Sequence, residues 1–424
     1  MTPPTDMKRG YLLRLYLLIS YAFPLVAPRL LRRRLARGKE TPARWTEKLG
    51  QSLGPRPDGP LIWLHGVGLG EVLSLRGLIT RLADARPDAS FLVTSTTAAS
   101  AQVFAKNLPP RTLHQFLPID APPYRRRFLD HFRPDLCVWA EQDIWPGFVS
   151  DAARRGIPQA VIAARMNAKS HRAHHRARSL YRDLYRAMAR VTAQDSATAG
   201  HLTQLGARGP VAITGSLKPG AVPLACDCAE LHLIAGAFAG RTVWAVAPSH
   251  RADEDIALAA HDLLRQTDPT ALLIIAPRFP DRRDAIAAAC HLPLKRRSRG
   301  ELPDIDDAIW LCDTFGDLGL IYRLTPTVLI GGTFDNTAGH NPWEAAALHT
   351  AILHGPCVGN FATDFAMLDD VNAARRVNDA PQLAQAVQSP GSLAHNATQV
   401  IAAASTQTDT LARDLLKLLG SAHG

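Results

Sequence analysis

The sequence predicts an α/β protein of two doubly wound, Rossmann-like units with a basic, apolar segment in front. Three observations carry this. The chain has 424 residues, 46% hydrophobic and 20% charged, which is the composition of a globular protein large enough for two cores. From residue 60 onward, short β-rich runs alternate with helical patterns, as in parallel sheets with crossover helices. Near the middle, the turn-rich stretch Lys218-Pro219-Gly220-Ala221-Val222-Pro223 interrupts the alternation and reads as a linker.

In the first series the expected strands are Leu61–Leu64, Ser90–Thr94, Leu136–Trp139, Gln159–Ile162, Val191–Ala193 and Val211–Ile213. The second series has Thr242–Ala247, Leu272–Ala276, Ile309–Cys312, Thr327–Ile330 and Ala351–His354. The boundaries that follow are 1–48 for the basic segment, 49–217 for the first unit and 218–228 for the linker. The second unit runs over 229–395, and an amphipathic helix fills most of 396–424.

The net charge of +10 is concentrated at the start, where residues 1–48 hold eleven Lys and Arg against three acids. The rest is nearly neutral, which argues against nucleic acid as a partner. Within the basic segment, Leu15–Pro28 is an uncharged run bounded by Arg14 and Arg29 and interrupted by Pro24 and Pro28. A span needs about 20 apolar residues, so this shorter run reads as an interfacial anchor on anionic lipid. Whether residues 11–31 lie on the bilayer or cross it is left open by composition. No signal-peptide cleavage pattern is present.

Six scattered cysteines, only Cys226 and Cys228 being close, suit a reducing cytoplasm and make no metal site. Lys169–Arg178 is basic, and its three histidines lack zinc spacing. That stretch suits lipid or acceptor phosphates, or is a solvated helix.

The chemistry concentrates at Trp63-Leu64-His65-Gly66-Val67-Gly68-Leu69-Gly70-Glu71, where a strand meets three alternating glycines and a carboxylate opening a helix. Glycines allow a sharp turn and close substrate approach. Glu71 is therefore either a general base or a carboxylate that complements the helix dipole. It stands where a dinucleotide fingerprint needs its third glycine, which excludes that motif. Two Rossmann-like halves without such a fingerprint point to the GT-B glycosyltransferase architecture, its ligands in the crevice at the carboxyl ends of the strands.

Six motifs in order resemble the 3-deoxy-D-manno-octulosonic acid (Kdo) transferases of lipopolysaccharide synthesis. Trp63–Glu71 is similar to W-I-H-A-x-S-x-G-E, and Glu141-Gln142-Asp143-Ile144-Trp145-Pro146 to E-T-E-x-W-P. Thr214-Gly215-Ser216-Leu217-Lys218 resembles T-G-N-x-K, and Pro277-Arg278-Phe279-Pro280 resembles P-R-H-P. Asp313–Leu318 resembles D-T-x-G-E-L, and Gly331-Gly332 through Gly339-His340-Asn341-Pro342-Trp343-Glu344 resembles G-G…G-H-N-x-x-E. The match runs from about residue 10 to 375. It departs at Gly68 (serine in the pattern), Ala163 and Ser216 (asparagine), Phe279 (histidine), Pro248–Arg251 (S-T-H-E), and at Asp143 and Asp317 (glutamate).

The resemblance implies metal-independent, inverting transfer of Kdo from CMP-Kdo to a lipid A precursor. It places the enzyme on the cytoplasmic face of a Gram-negative inner membrane, with no cofactor. It implies Glu71 as base, with Glu141 and Lys218 stabilising the transition state. Donor-binding residues are expected at Pro277, Arg278, Phe315, Gly316, Asp317, Asn341, Pro342, Trp343 and Glu344. An arginine such as Arg278 suits bidentate contact with phosphate or carboxylate. The rivals are a GT-B transferase of another activated sugar to a lipid, and a catalytically silent lipid-A-binding membrane protein.

Overall fold

The computed structural model describes residues 10–105, 108–141, 143–220 and 223–420. They form two compact units, one comprising the residues up to 220 with those from Ala404 onward, the other running to Ala403. The division thus falls within the stretch read as a linker, and the end of the last helix, Leu393–Gly420, belongs to the first unit.

Among the described residues, the first unit holds a seven-stranded sheet. Its strands are β1 (Leu61–His65), β2 (Ser90–Ser95), β3 (Thr112–Phe116), β4 (Leu136–Ala140), β5 (Gln159–Ala164), β6 (Arg190–Ala193) and β7 (Ala212–Ile213). Every pairing is parallel and the order is β3-β2-β1-β4-β5-β6-β7. Both faces are buried, as a parallel sheet requires. Along β1, Leu61 and Trp63 enter a core with Phe128, Trp139 and Phe148. Ile62 and Leu64 face the opposite way, toward Val72, Leu75 and Ile79 of the Leu69–Ala85 helix and Leu411 and Leu415 of the last helix. This is the period-2 alternation of a strand covered on both sides.

The second unit repeats the plan with β8 (Val243–Ser249), β9 (Leu272–Pro277), β10 (Leu294–Arg296), β11 (Ile309–Leu311), β12 (Thr327–Ile330), β13 (Ala351–His354) and β14 (Ala374–Arg376). The order is β10-β11-β9-β8-β12-β13-β14, again all parallel. The strands absent from the sequence-based expectation, β3, β10 and β14, are all at sheet edges. Each mixes polar or charged residues into a short run and so lacks the continuous apolar run that marks its central neighbours.

The N-terminal segment is helical over Tyr11–Ile19 and Phe23–Ala36, joined by a 3₁₀ turn. Neither proline breaks it: Pro24 sits in a first turn, where no N–H is needed, and Pro28 lies inside the second helix. One face is docked. Leu13 is buried in the β1 core, Ala27 and Leu31 pack on Leu49 and Tyr124, and the Tyr16 hydroxyl donates to Asp120 at 2.7 Å. The other face exposes Leu18, Ile19, Tyr21, Leu25 and Val26. Tyr11–Ala36, 26 residues, is long and apolar enough to cross a membrane by length and composition.

One contact ties the Lys218–Gly220 turn to the helix that carries Glu71. A Cβ placed on Gly77 would lie 1.9 Å from the Gly220 carbonyl oxygen, so the turn packs directly on the helix backbone. Alanine in a helix interior ordinarily outranks glycine by up to about 1 kcal/mol. Gly77→Ala is expected to reverse that sign and destabilise by about 1–3 kcal/mol through overpacking. Gly200→Ala, at a helical glycine with open space around it, is expected to stabilise. Paired urea melts of the two variants check this, and equal shifts would contradict it.

Candidate active site

In the first sheet the strand order reverses between β1 and β4, and the sequence-predicted acids follow those two strands. Beyond β1, Gly66 is bonded through its N–H to the Thr94 carbonyl, and Gly68 caps the Leu69–Ala85 helix. Trp63 and His65 both bond the Thr94 hydroxyl, which braces the base of the loop. Burial lowers the His65 pKa to about 3, so this histidine is neutral.

Glu71 is the third helical residue. Its Oε2 accepts the Val67 N–H at 2.7 Å and its carboxylate also draws on the Gly68 N–H, a capping arrangement. These are the contacts expected of a carboxylate in a helix's first turn. Burial pushes its pKa up, opposed by the two amides and by Lys218, while Asp143 pushes it further up. A Cβ on Gly66 would press the Glu71 Cβ at 3.3 Å, whereas one on Gly68 would clear the Glu71 carboxylate by 3.7 Å. Gly68 has φ −91°, so the serine of the family pattern fits there without strain.

Glu141 directly follows β4 with φ +58°, its N–H on the Ile162 carbonyl, and Ala163 near the end of β5 has φ +47°. Left-handed backbone suits asparagine better than alanine, which gives the Ala163 departure a local cost. The N-cap position of the following helix is held by Trp145, four residues beyond Glu141, with no side-chain cap bond. Asp143 is not among the expected site residues. Its signal was the second acid of the E-x-D spacing, and the structure sets it in electrostatic range of Glu71. Gln142 lies outside the described residues.

In the second sheet the order reverses between β8 and β12. After β12, Gly331 passes so close to β8 that a Cβ would sit 1.9 Å from the Pro248 oxygen, and Gly332 takes φ +68°. The loop closes on itself through Gly339 N–H to the Gly332 carbonyl and His340 N–H to the Gly331 carbonyl. Asp253 anchors it from the Arg251–Thr267 helix, its carboxylate accepting N–H bonds from Gly332 (2.6 Å), Thr333 (3.2 Å) and Phe334 (3.3 Å), and from His250 (3.0 Å). No motif marked this residue.

Asn341 then bonds both ways, its amide donating to Glu344 Oε1 at 3.3 Å and its oxygen accepting the Trp343 N–H. Burial raises the Glu344 pKa, with the Asn341 bond opposing. Arg278 follows β9, exposed, its guanidinium over Phe279, and no carboxylate pairs with it among the described residues. Phe315 is 80% exposed beside Gly316.

Four expected donor residues are buried or held by partners within the protein. Trp343 is 2% exposed with its indole N–H on Asp364, the setting of a core residue. Pro277 and Pro342 are likewise buried, the former closing β9. Asp317 is engaged by Arg297 at 3.0 Å and by the Thr314 hydroxyl, and Arg297 also pairs with Glu230. These residues, with Leu233 and Trp310, line a cavity of about 420 Å³. The His171 and His174 rings stack on His201 and Tyr181 rather than converging.

Paired doubly wound sheets with site loops at their switch points define a GT-B protein. Two solved structures share the fold, UDP-GlcNAc 2-epimerase of Neisseria meningitidis (TM-score 0.54, 12% identity) and MurG of Acinetobacter baumannii (0.51, 11%). They cover 84% and 85% of this chain, matching 99% and 100% of their own. The model of the 3-deoxy-D-manno-octulosonic-acid transferase (kdotransferase) family matches residues 43–221. A probable mitochondrial 3-deoxy-D-manno-octulosonic acid transferase of Arabidopsis thaliana is 32% identical over 84% of this chain and 82% of its own. The 3-deoxy-D-manno-octulosonic acid transferase of Bordetella pertussis is 31% identical over 77% and 78%. This chain belongs to the Kdo transferase family and is a glycosyltransferase.

Removing the Asp253 acceptor leaves several loop N–H groups without a partner, each worth about 1–3 kcal/mol when buried. Asp253→Ala is expected to lower stability by about that amount or more and to speed hydrogen exchange at Gly332–Phe334. Unchanged exchange there would show that the loop holds itself.

Proposed function

We propose that the protein transfers Kdo from CMP-Kdo to the lipid A precursor lipid IVA, with inversion at the anomeric carbon and without a metal. The observation that carries this is Glu71, a half-buried carboxylate with a raised pKa, held by loop amides at a strand-order reversal. The acceptor hydroxyl oxygen bonds to the anomeric carbon as that carbon's bond to the phosphate oxygen breaks. Glu71 takes the hydroxyl proton, and CMP departs with the bonding electrons. General base catalysis of this kind contributes about 10²–10⁴-fold.

Lys218 and Glu141 act on the charge that develops in the transition state, Lys218 by offsetting the departing phosphate. Arg278 meets an anionic group of the donor. Asn341 and Glu344, already bonded to each other, hold ribose hydroxyls, while the exposed turn at Phe315-Gly316 borders the donor. Asp317 contributes through Arg297 and the turn rather than by direct contact. The exposed apolar face of Tyr11–Ala36, flanked by arginines, supports attachment to an anionic membrane, and the family resemblance favours the cytoplasmic face of a Gram-negative inner membrane.

The test is full-length protein with CMP-Kdo and lipid IVA in mixed micelles, with CMP release and the mass of the lipid product as readouts. Wild type is expected to release CMP and extend the lipid, and a chelator to leave the rate unchanged. Glu71→Gln is expected to lower kcat by about 10²–10⁴-fold with CMP still bound. No CMP release by wild type, or equal rates for both proteins, would sink the assignment.

A further inference from the structure

Two histidines outside the donor set above meet at the switch point of the second sheet. His250 directly follows β8, and His340 closes the loop after β12. Their Nε2 atoms lie 2.8 Å apart, with ring planes 10° from parallel. That distance between two ring nitrogens admits one proton, so one ring donates and the other accepts.

The backbone sets the direction. His250 holds the N-cap position of the Arg251–Thr267 helix, its backbone N–H bonded to the Asp253 carboxylate and its ring turned to the Asp253 N–H in a capping box. Since its Nε2 is engaged with His340, the accepting atom is Nδ1, and the proton of His250 sits on Nε2. His250 therefore donates, His340 accepts through Nε2, and a neutral His340 carries its own proton on Nδ1. Among the described residues no acceptor takes that Nδ1–H. The charged groups facing the pair are Arg278 from the end of β9, Asp335 from the β12 loop and Asp253 from the capped helix. Burial, His250 and Arg278 hold the His340 pKa down at about 4 against the pull of Asp335, so the ring is uncharged at neutral pH. Gly332 makes room for it, since a Cβ there would meet the His340 Cδ2 at 3.3 Å.

We propose that His250 is a positioning residue that locks His340 as an Nδ1–H donor, and that this donor bonds a phosphate oxygen of the nucleotide beside Arg278 and Asn341. The proposal rests on reading the second unit as the CMP-sugar site. A neutral donor of fixed tautomer binds phosphate without a change in protonation, so the contact persists across the neutral range.

The experiment uses the full chain in detergent at neutral pH, with ¹⁵N-imidazole spectra and calorimetric titration of CMP. Wild-type His340 is expected to carry its proton on Nδ1. In His250→Ala the proton is expected to move to Nε2, with CMP bound about tenfold more weakly. In His250→Gln the side-chain amide can donate to the same Nε2, so the Nδ1–H tautomer and an affinity within about twofold of wild type are expected. A wild-type His340 protonated on Nε2 overturns the proposal, even if neither variant folds. So does a folded His250→Ala that binds CMP as wild type does. Absence of CMP binding by wild type would remove the donor reading itself, leaving the tautomer measurement as a separate result.

Discussion

Open parallel sheets impose one constraint on which both site regions depend. Where strand order reverses, the loops leaving two neighbouring strands turn toward opposite faces and leave the space above the strand ends open. Between β1 and β4 that space receives the Gly66–Glu71 loop and Glu141. Between β8 and β12 it receives His250 and the Gly331–His340 loop. Each unit thus places chemistry-bearing residues at the one position along its sheet where no crossover covers them.

Holding those loops takes carboxylates, and the balance of burial against hydrogen bonding decides what each carboxylate is for. Hydrogen bonds to a charged group contribute about 1.5–3 kcal/mol each, while an unpaired buried carboxylate costs several kcal/mol. Asp253 collects bonds from four backbone amides and serves as an anchor. Glu71 draws on two, with Lys218 as a further offset and Asp143 as a repulsive neighbour. Its raised pKa makes it a better proton acceptor once ionised, and the amides keep it oriented. The close approach of Gly77 to Gly220 packs the turn carrying Lys218 directly on the helix that carries Glu71.

The fold was legible wherever burial was two-sided. Central strands such as β1, β8 and β12 are continuous apolar runs whose residues are almost all buried. The edge strands β3, β10 and β14 were not legible, because each mixes polar or charged residues into a short run (Thr112–Phe116, Leu294–Arg296, Ala374–Arg376), whereas the fourth edge, β7, carries an apolar pair and was. Spacing alone could not separate Trp343, a core residue bonded to Asp364, from its neighbours Asn341 and Glu344. Asp253 and the Gly77 contact were invisible because each acts on a segment distant in sequence. Glu71 was legible with two alternatives; the structure shows the amide contacts and the partial burial of its carboxylate, and the role of base is the proposal made above.

The central claim is that Glu71 is the base for sugar transfer. It is tested most directly by kcat/KM for the acceptor as a function of pH, at saturating CMP-Kdo, for wild type and Glu71→Gln. A base works only when deprotonated, and burial sets the Glu71 pKa above its usual 4.5. Wild-type activity is predicted to fall on acidification with a midpoint above 4.5, and the slow residual rate of the variant to lack that limb. An acidic limb that survives unchanged in Glu71→Gln would contradict the account.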